Sequence, residues 1–158
     1  MGRATPSKTS DEELSAFEVA TRDLVGIALS SVEQLEVSLS QYRLLLLLQT
    51  RGRASSTQCA EALGVVGSSV TRLADRLHTS GHLVRAVDPD NRSAVTLELT
   101  SAGRRVVREV TNRRRRQLRR VLDGLDPRAR ALCAAVLQEL HDGLVEAGAE
   151  SPRDRLPL

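Results

Sequence analysis

The sequence predicts a mainly α-helical fold carrying one small β-hairpin, and three observations lead there. Among 158 residues there are one phenylalanine, one tyrosine and no tryptophan, so the core has to be aliphatic. Leucine and alanine, which supply most of that core, favour helix. The apolar period is near 3.6 for most of the chain but falls to 2 between Leu83 and Leu99. Finally, glycines and capping residues divide the chain into short segments, and its length suits one domain or little more.

The elements follow in order. Residues 1–10 read as a polar tail. Ser10 or Asp11 caps a first helix over about 11–38, with Leu14, Phe17, Leu24, Ala28, Leu35 and Leu39 near helical spacing. A second helix runs through 41–50. Its stretch from Leu44 to Leu48 is apolar nearly all round, which predicts burial on most sides, and Gly52 ends it. Ser55 and Gln58 have capping-box spacing and start a short helix over 56–63, with Cys59, Ala60 and Leu63 on its apolar face and Gly64 after it. The stretch SSVTRLADRLHTSG forms the next helix, stopped by Gly81. Val70, Leu73, Ala74 and Leu77 line one side, while Ser68, Ser69, Thr71, Arg72, Asp75 and Arg76 fall largely on the other. Ser68 is the expected cap, because Val66 and Gly67 carry no hydroxyl.

Two strands, 83–87 and 94–99, flank a turn built on Asp88-Pro89-Asp90-Asn91, with Val95, Leu97 and Leu99 expected to face the helices. Thr100 caps an arginine-rich helix ending near Leu122, and Asp126-Pro127 opens the last one. In that helix Leu132, Val136, Leu140 and Leu144 recur at spacing four, the pattern of a seam for a partner helix. Residues 149–158 are a second polar tail.

Charge is unevenly distributed. Six basic and seven acidic side chains give −1 over residues 1–60, thirteen and six give +7 over 61–122, and four and seven give −3 over 123–158. A localised basic block favours a polyanionic partner. Other functions lack support. Cys59 and Cys133 stand alone, read as packing residues, and fit a reducing compartment. His78 and His82 are separated by Gly81 and have no obvious third ligand, so neither a metal nor another cofactor is expected. No nucleophile elbow, metalloprotease motif, phosphate loop or dinucleotide turn is present, which argues against an enzyme. No apolar run predicts a signal peptide or a membrane span, and a cytoplasmic protein is expected.

Two short helices joined by a glycine turn, followed by a hairpin, describe a winged helix-turn-helix. The second helix exposes small polar and basic side chains because it has to enter the major groove of double-stranded DNA. Ser68 and Ser69 in its first turn can reach phosphates or base edges, and Arg72 and Arg76 lie one turn apart on one face. Two readings stand for these arginines: contact with base edges, or mere pairing with Asp75 or phosphate. Two also stand for Arg92 at the hairpin tip: positive charge for the DNA backbone or minor groove, or neutralisation of Asp88 and Asp90. Arg114 falls near the apolar register of Val107, Val110, Leu118 and Val121. It therefore points either inward, to a ligand carboxylate or a partner's acid, or into solvent like the other arginines of its run. A winged domain used only for protein association is the alternative function.

STQCAEALGV, SSVTRLADRLHTSGHLVR and DPDNRSAVTLELTSAG, in that order and spacing, resemble the MarR family of bacterial regulators over about residues 14–147. The resemblance implies a homodimer binding a pseudo-palindromic operator, most often as a repressor relieved by a small anionic or phenolic effector. The winged domain would be 41–102, with 11–40 and 103–148 completing the dimerisation region. It assigns Ser55, Thr57, Ser68, Ser69, Thr71, Arg72, Arg76 and Arg92 to DNA, and Leu14, Phe17, Leu132, Val136, Leu140 and Leu144 to the dimer. Two departures stand out. Asn91-Arg92-Ser93 replaces the usual Asp-Arg-Arg at the wing tip, and Val66-Gly67 replaces Ser-Arg before the recognition helix.

Overall fold

The computed structural model describes residues 8–33, 35–87 and 95–147. Its elements run α1 (Asp11–Glu33), α2 (Leu39–Arg51), β1 (Arg53–Ser55), α3 (Ser56–Leu63), α4 (Gly67–Thr79), β2 (Leu83–Val87), β3 (Val95–Leu99), α5 (Ser101–Leu122) and α6 (Pro127–Glu146). The expected mainly helical architecture with a hairpin is what forms.

Helix ends follow their caps. Ser10 and Glu13 exchange hydrogen bonds at the start of α1. These bonds hold the Glu13 carboxyl below its ordinary value. Ser55 accepts from the Gln58 amide at the start of α3, while the Gln58 side chain accepts from the Ser55 N–H. Thr100 accepts from the Gly103 amide, and Asp126 accepts from the amides of Arg128 and Ala129. Gly52 and Gly64 close α2 and α3 at φ of 81° and 66°, a region that side chains with a Cβ avoid.

Two boundaries differ from expectation. α1 stops at Glu33 rather than near 38, because Ser38 and Gln41 form a second capping box that starts α2 at Leu39. And α4 begins at Gly67 with Val66 as an extended N-cap making no side-chain bond. Ser68 therefore sits inside the first turn and does not cap the helix.

The sheet has three antiparallel strands in the order β1-β3-β2, one more than the hairpin alone. Ala54 pairs with Leu97, Leu83 with Leu99, and Val87 with Val95. Leu97 and Leu99 are buried as expected, but Val95 is not: paired with the exposed Val87 at the end of the hairpin where the two strands are connected, it is 54% exposed. Thr96 is buried instead, its hydroxyl donating to the Ala86 carbonyl.

α2 forms the centre. Tyr42, Leu44, Leu45, Leu47 and Leu48 are all buried, and they join Cys59 and Leu63 of α3, Val70, Ala74 and Leu77 of α4, Leu83 and Leu97 of the sheet, and Val107 and Val110 of α5. Gly103 lets α5 approach the sheet, since a Cβ there would collide with the His82 carbonyl oxygen. Thr100 ties the same corner by donating to the Gly81 carbonyl at 2.7 Å. The terminal helices are different in kind. α6 buries no residue, and α1 buries only Ala28, Ser31 and Val32, near its C-terminal end.

Candidate nucleic-acid interface

α4 separates its two chemistries by face. Val70, Ala74 and Leu77 are fully buried, and Leu73 is half-buried. Ser68, Thr71, Arg72 and Arg76 are exposed, and Ser69 is half-buried. The Thr71 hydroxyl donates to the Gly67 carbonyl of its own helix at 3.2 Å, which leaves its lone pairs outward. Ser55 and Thr57 sit at the start of α3. Thr57 is exposed, whereas the Ser55 hydroxyl is committed to its capping box.

The acid between the two arginines is engaged elsewhere. Asp75 pairs with Arg85, which reaches across from β2. Neither Arg72 nor Arg76 makes an ion pair with Asp75. Both line a cleft of about 330 Å³ with Ser40, Arg43, Ser69 and Leu73, and among the described residues no carboxylate lines it. Apolar patterning marks α2 as core alone and so misses Ser40 and Arg43. A signal is present, because Arg43 is the only charged side chain between Glu36 and Arg51. Arg92 and the turn that carries it lie outside the described residues.

The residues expected at a dimer interface share an apolar groove in part. Phe17 of α1 and Leu132, Cys133, Val136 and Leu137 of α6 line a cavity of about 430 Å³. Leu14, Leu140 and Leu144 are also exposed. Cys133 is exposed rather than packed within the chain, while Cys59 is fully buried and its thiol is pushed up to about 11 by loss of solvent. Among the described residues no three potential ligands stand close enough to hold a metal. The His78 ring contacts the Leu83 carbonyl, and the His82 ring contacts the Ser80 hydroxyl.

Arg114 is turned partly inward. Its Nε and Nη2 are buried and meet no hydrogen-bond partner among the described residues, and the same is true of Gln117 Oε1. Tyr42 lies near it: burial pushes the phenol up, against the opposing pull of the Arg114 guanidinium and a hydrogen bond with Thr111.

An aliphatic body, a short helix bracing a polar-faced one, and a sheet folded back beside them define a winged helix-turn-helix regulator. Residues 35–93 match the MarR family model, and the chain belongs to that family. It is 28% identical over 138 residues to YfiV, an HTH-type transcriptional regulator of Bacillus subtilis, covering 85% of this chain and 82% of the relative. The crystal structure of RV1404 from Mycobacterium tuberculosis is similar at a TM-score of 0.78 with 30% identity, over 89% of this chain and 97% of that one. A mutant of MepR from Staphylococcus aureus, solved bound to an oligodeoxyribonucleotide, shares the fold at a TM-score of 0.67 and 20% identity, over 87% and 99%. The family is one of transcription regulators, not enzymes.

Proposed function

We propose that this protein is a homodimeric, sequence-specific DNA-binding repressor acting in the cytoplasm and relieved by a small anionic or phenolic effector. The observation that carries the DNA reading is the outward face of α4. Arg72 and Arg76 are exposed and free of Asp75, on a helix whose opposite face is fully anchored. In this reading α4 enters the major groove. Arg72 and Arg76 meet guanine edges or phosphates, and Ser68, Ser69 and Thr71 supply shorter contacts. Ser55, Thr57 and Arg92 would touch the backbone on either side. The MepR complex with DNA supports the same use of the fold.

The homodimer is supported by α6, which exposes Leu132, Val136, Leu140 and Leu144 and buries nothing within its own chain. A helix gains most of its stability from packing an apolar face, so a second copy is the natural cover. An anionic effector is supported by Arg114, whose Nε and Nη2 are buried without a hydrogen-bond partner among the described residues and would be matched by a ligand carboxylate. No described helix is long and apolar enough to cross a membrane, in keeping with a cytoplasmic site of action.

The test is selection of genomic DNA fragments by the purified protein. Enrichment of a two-fold symmetric motif, its half-sites about one helical turn apart, is expected. Recovery of fragments without a shared motif would contradict sequence-specific binding and favour a protein-interaction module.

A further inference from the structure

The turn between α5 and α6 carries a groove unlike the apolar one beside it. Arg115, Leu118, Arg119 and Leu122 of α5, with Asp123 and Arg130, line a space of about 540 Å³. Asp123 stands 3.5 Å from Arg130, so that charge is offset in place. Arg115 and Arg119 are exposed and one helical turn apart, and among the described residues neither makes an ion pair. The groove thus combines two arginines lacking a carboxylate partner with two leucines.

α1 begins with the complementary chemistry. Residues 11–18, DEELSAFE, hold four carboxylates and no base, together with Leu14 and Phe17, and all eight residues are exposed. Acids in a first turn suit the helix dipole, which accounts for Asp11, Glu12 and Glu13. Glu18 lies beyond the reach of that effect, seven residues after Asp11 and therefore on nearly the same face. Ser10 engages Glu13, but among the described residues no ion pair engages Asp11, Glu12 or Glu18. Acids and arginines do not meet within one chain.

We propose that the first two turns of α1 seat in the α5–α6 groove of a second copy, Asp11 and Glu18 meeting Arg115 and Arg119 across the subunit boundary while Leu14 covers Leu118 and Leu122. The inference rests on the homodimer reading above and adds to it a charged contact that fixes orientation. Continuity supports the second copy as the occupant. Ala129 lines the apolar groove with Phe17, and its neighbour Arg130 lines the basic one, so a helix laid along this part of α6 reaches both. A two-fold interface needs a self-complementary surface, and this chain holds both halves. Each contact is then made twice.

Sedimentation of the full chain across a salt series tests this, with circular dichroism as the folding control. The wild-type dimer dissociation constant is expected to rise about fivefold or more between roughly 50 and 500 mM salt, as the screening length falls well below about 10 Å. An interface of apolar contacts alone would hold or tighten. Arg115→Glu/Arg119→Glu and Asp11→Lys/Glu18→Lys are each expected to raise the constant about tenfold or more at low salt. The variant combining all four changes is expected to return to within about threefold of the wild type. Such recovery separates pairing from fraying of α1, which no change on α5 would mend.

If both reversal variants dimerise as the wild type does, the groove does not hold α1. A combined variant no better than either parent would also overturn the proposal and leave the arginines to a different acidic partner or a polyanion. Should Leu140→Asp give monomers while the charge variants change nothing, the homodimer reading stands and this inference falls. A wild type that stays monomeric at every concentration would remove both.

Discussion

α4 and α6 each leave one face uncovered, and the two faces differ in kind. α4 anchors Val70, Ala74 and Leu77 in the core and shows solvent its hydroxyls and guanidiniums. α6 shows solvent its aliphatic side chains, with Leu132 at 66% and Leu140 and Leu144 at 44% exposure, and anchors none. The first face is complete as it stands: it costs nothing to solvate and attracts a polyanion from a distance. The second is an apolar face left open, and in the proposed homodimer it is half of a core. Exposure alone therefore says little about function, and the chemistry of what is exposed points to a different partner for each helix.

That contrast can be broken by substitution. The largest effect is expected at the unfinished face. A charge at Leu140, as in Leu140→Asp, would be stranded in the proposed dimer seam at a cost on the order of 3–5 kcal/mol. Sedimentation should show monomers whose winged body remains folded by circular dichroism. A persistent dimer would place the interface elsewhere. Leu77→Ala, in the closed body, should behave oppositely. Leu77 is fully buried, so the change costs about 2–5 kcal/mol and lowers the denaturant midpoint while leaving self-association intact.

Smaller effects sharpen the picture of the body. Gly103→Ala forces a methyl onto the His82 carbonyl, so overpacking of about 1–3 kcal/mol should outweigh the gain in helix propensity. A neutral or raised melting temperature would mean that α5 and the sheet are loosely joined. The smallest effect concerns Cys59, whose folded thiol is pushed up to about 11 from an ordinary value of 9.0. The raised value favours the neutral form in the folded state. Its contribution is full below pH 9 and is lost as the unfolded thiol ionises between 9 and 11. The alkaline fall in stability over that window should be shallower in Cys59→Ala than in the wild type.

Much of this architecture was legible because the chain marks its helix ends with hydrogen-bonding chemistry. Ser55 with Gln58, Thr100, and Asp126 with Pro127 each start a helix where local bonding requires it. Ser38 with Gln41 carries the same signature as Ser55 with Gln58 but was hidden inside an apolar period that ran on past Glu33. β1 was not legible, because three residues show no alternation, and only pairing with β3 makes them a strand. Val95 followed the period of two, yet it lies past the helices that bury Leu97 and Leu99. The candidate interface divides the same way. The two faces of α4 follow from spacing on one helix. The sharing of one cleft by Arg43, Arg72 and Arg76, and the capture of Asp75 by Arg85, depend on packing between elements that sequence periodicity does not join.

The central claim is that the outward flank of α4 holds duplex DNA, and a salt titration of one variant tests it most directly. The Arg72→Ala/Arg76→Ala protein and the wild type would be compared on the selected site between about 50 and 200 mM salt. The account predicts an unchanged fold, a loss of about 1–3 kcal/mol for each guanidinium that meets a base edge, and a shallower salt slope for each that meets a phosphate. Equal affinity and equal slope for the two proteins would contradict it.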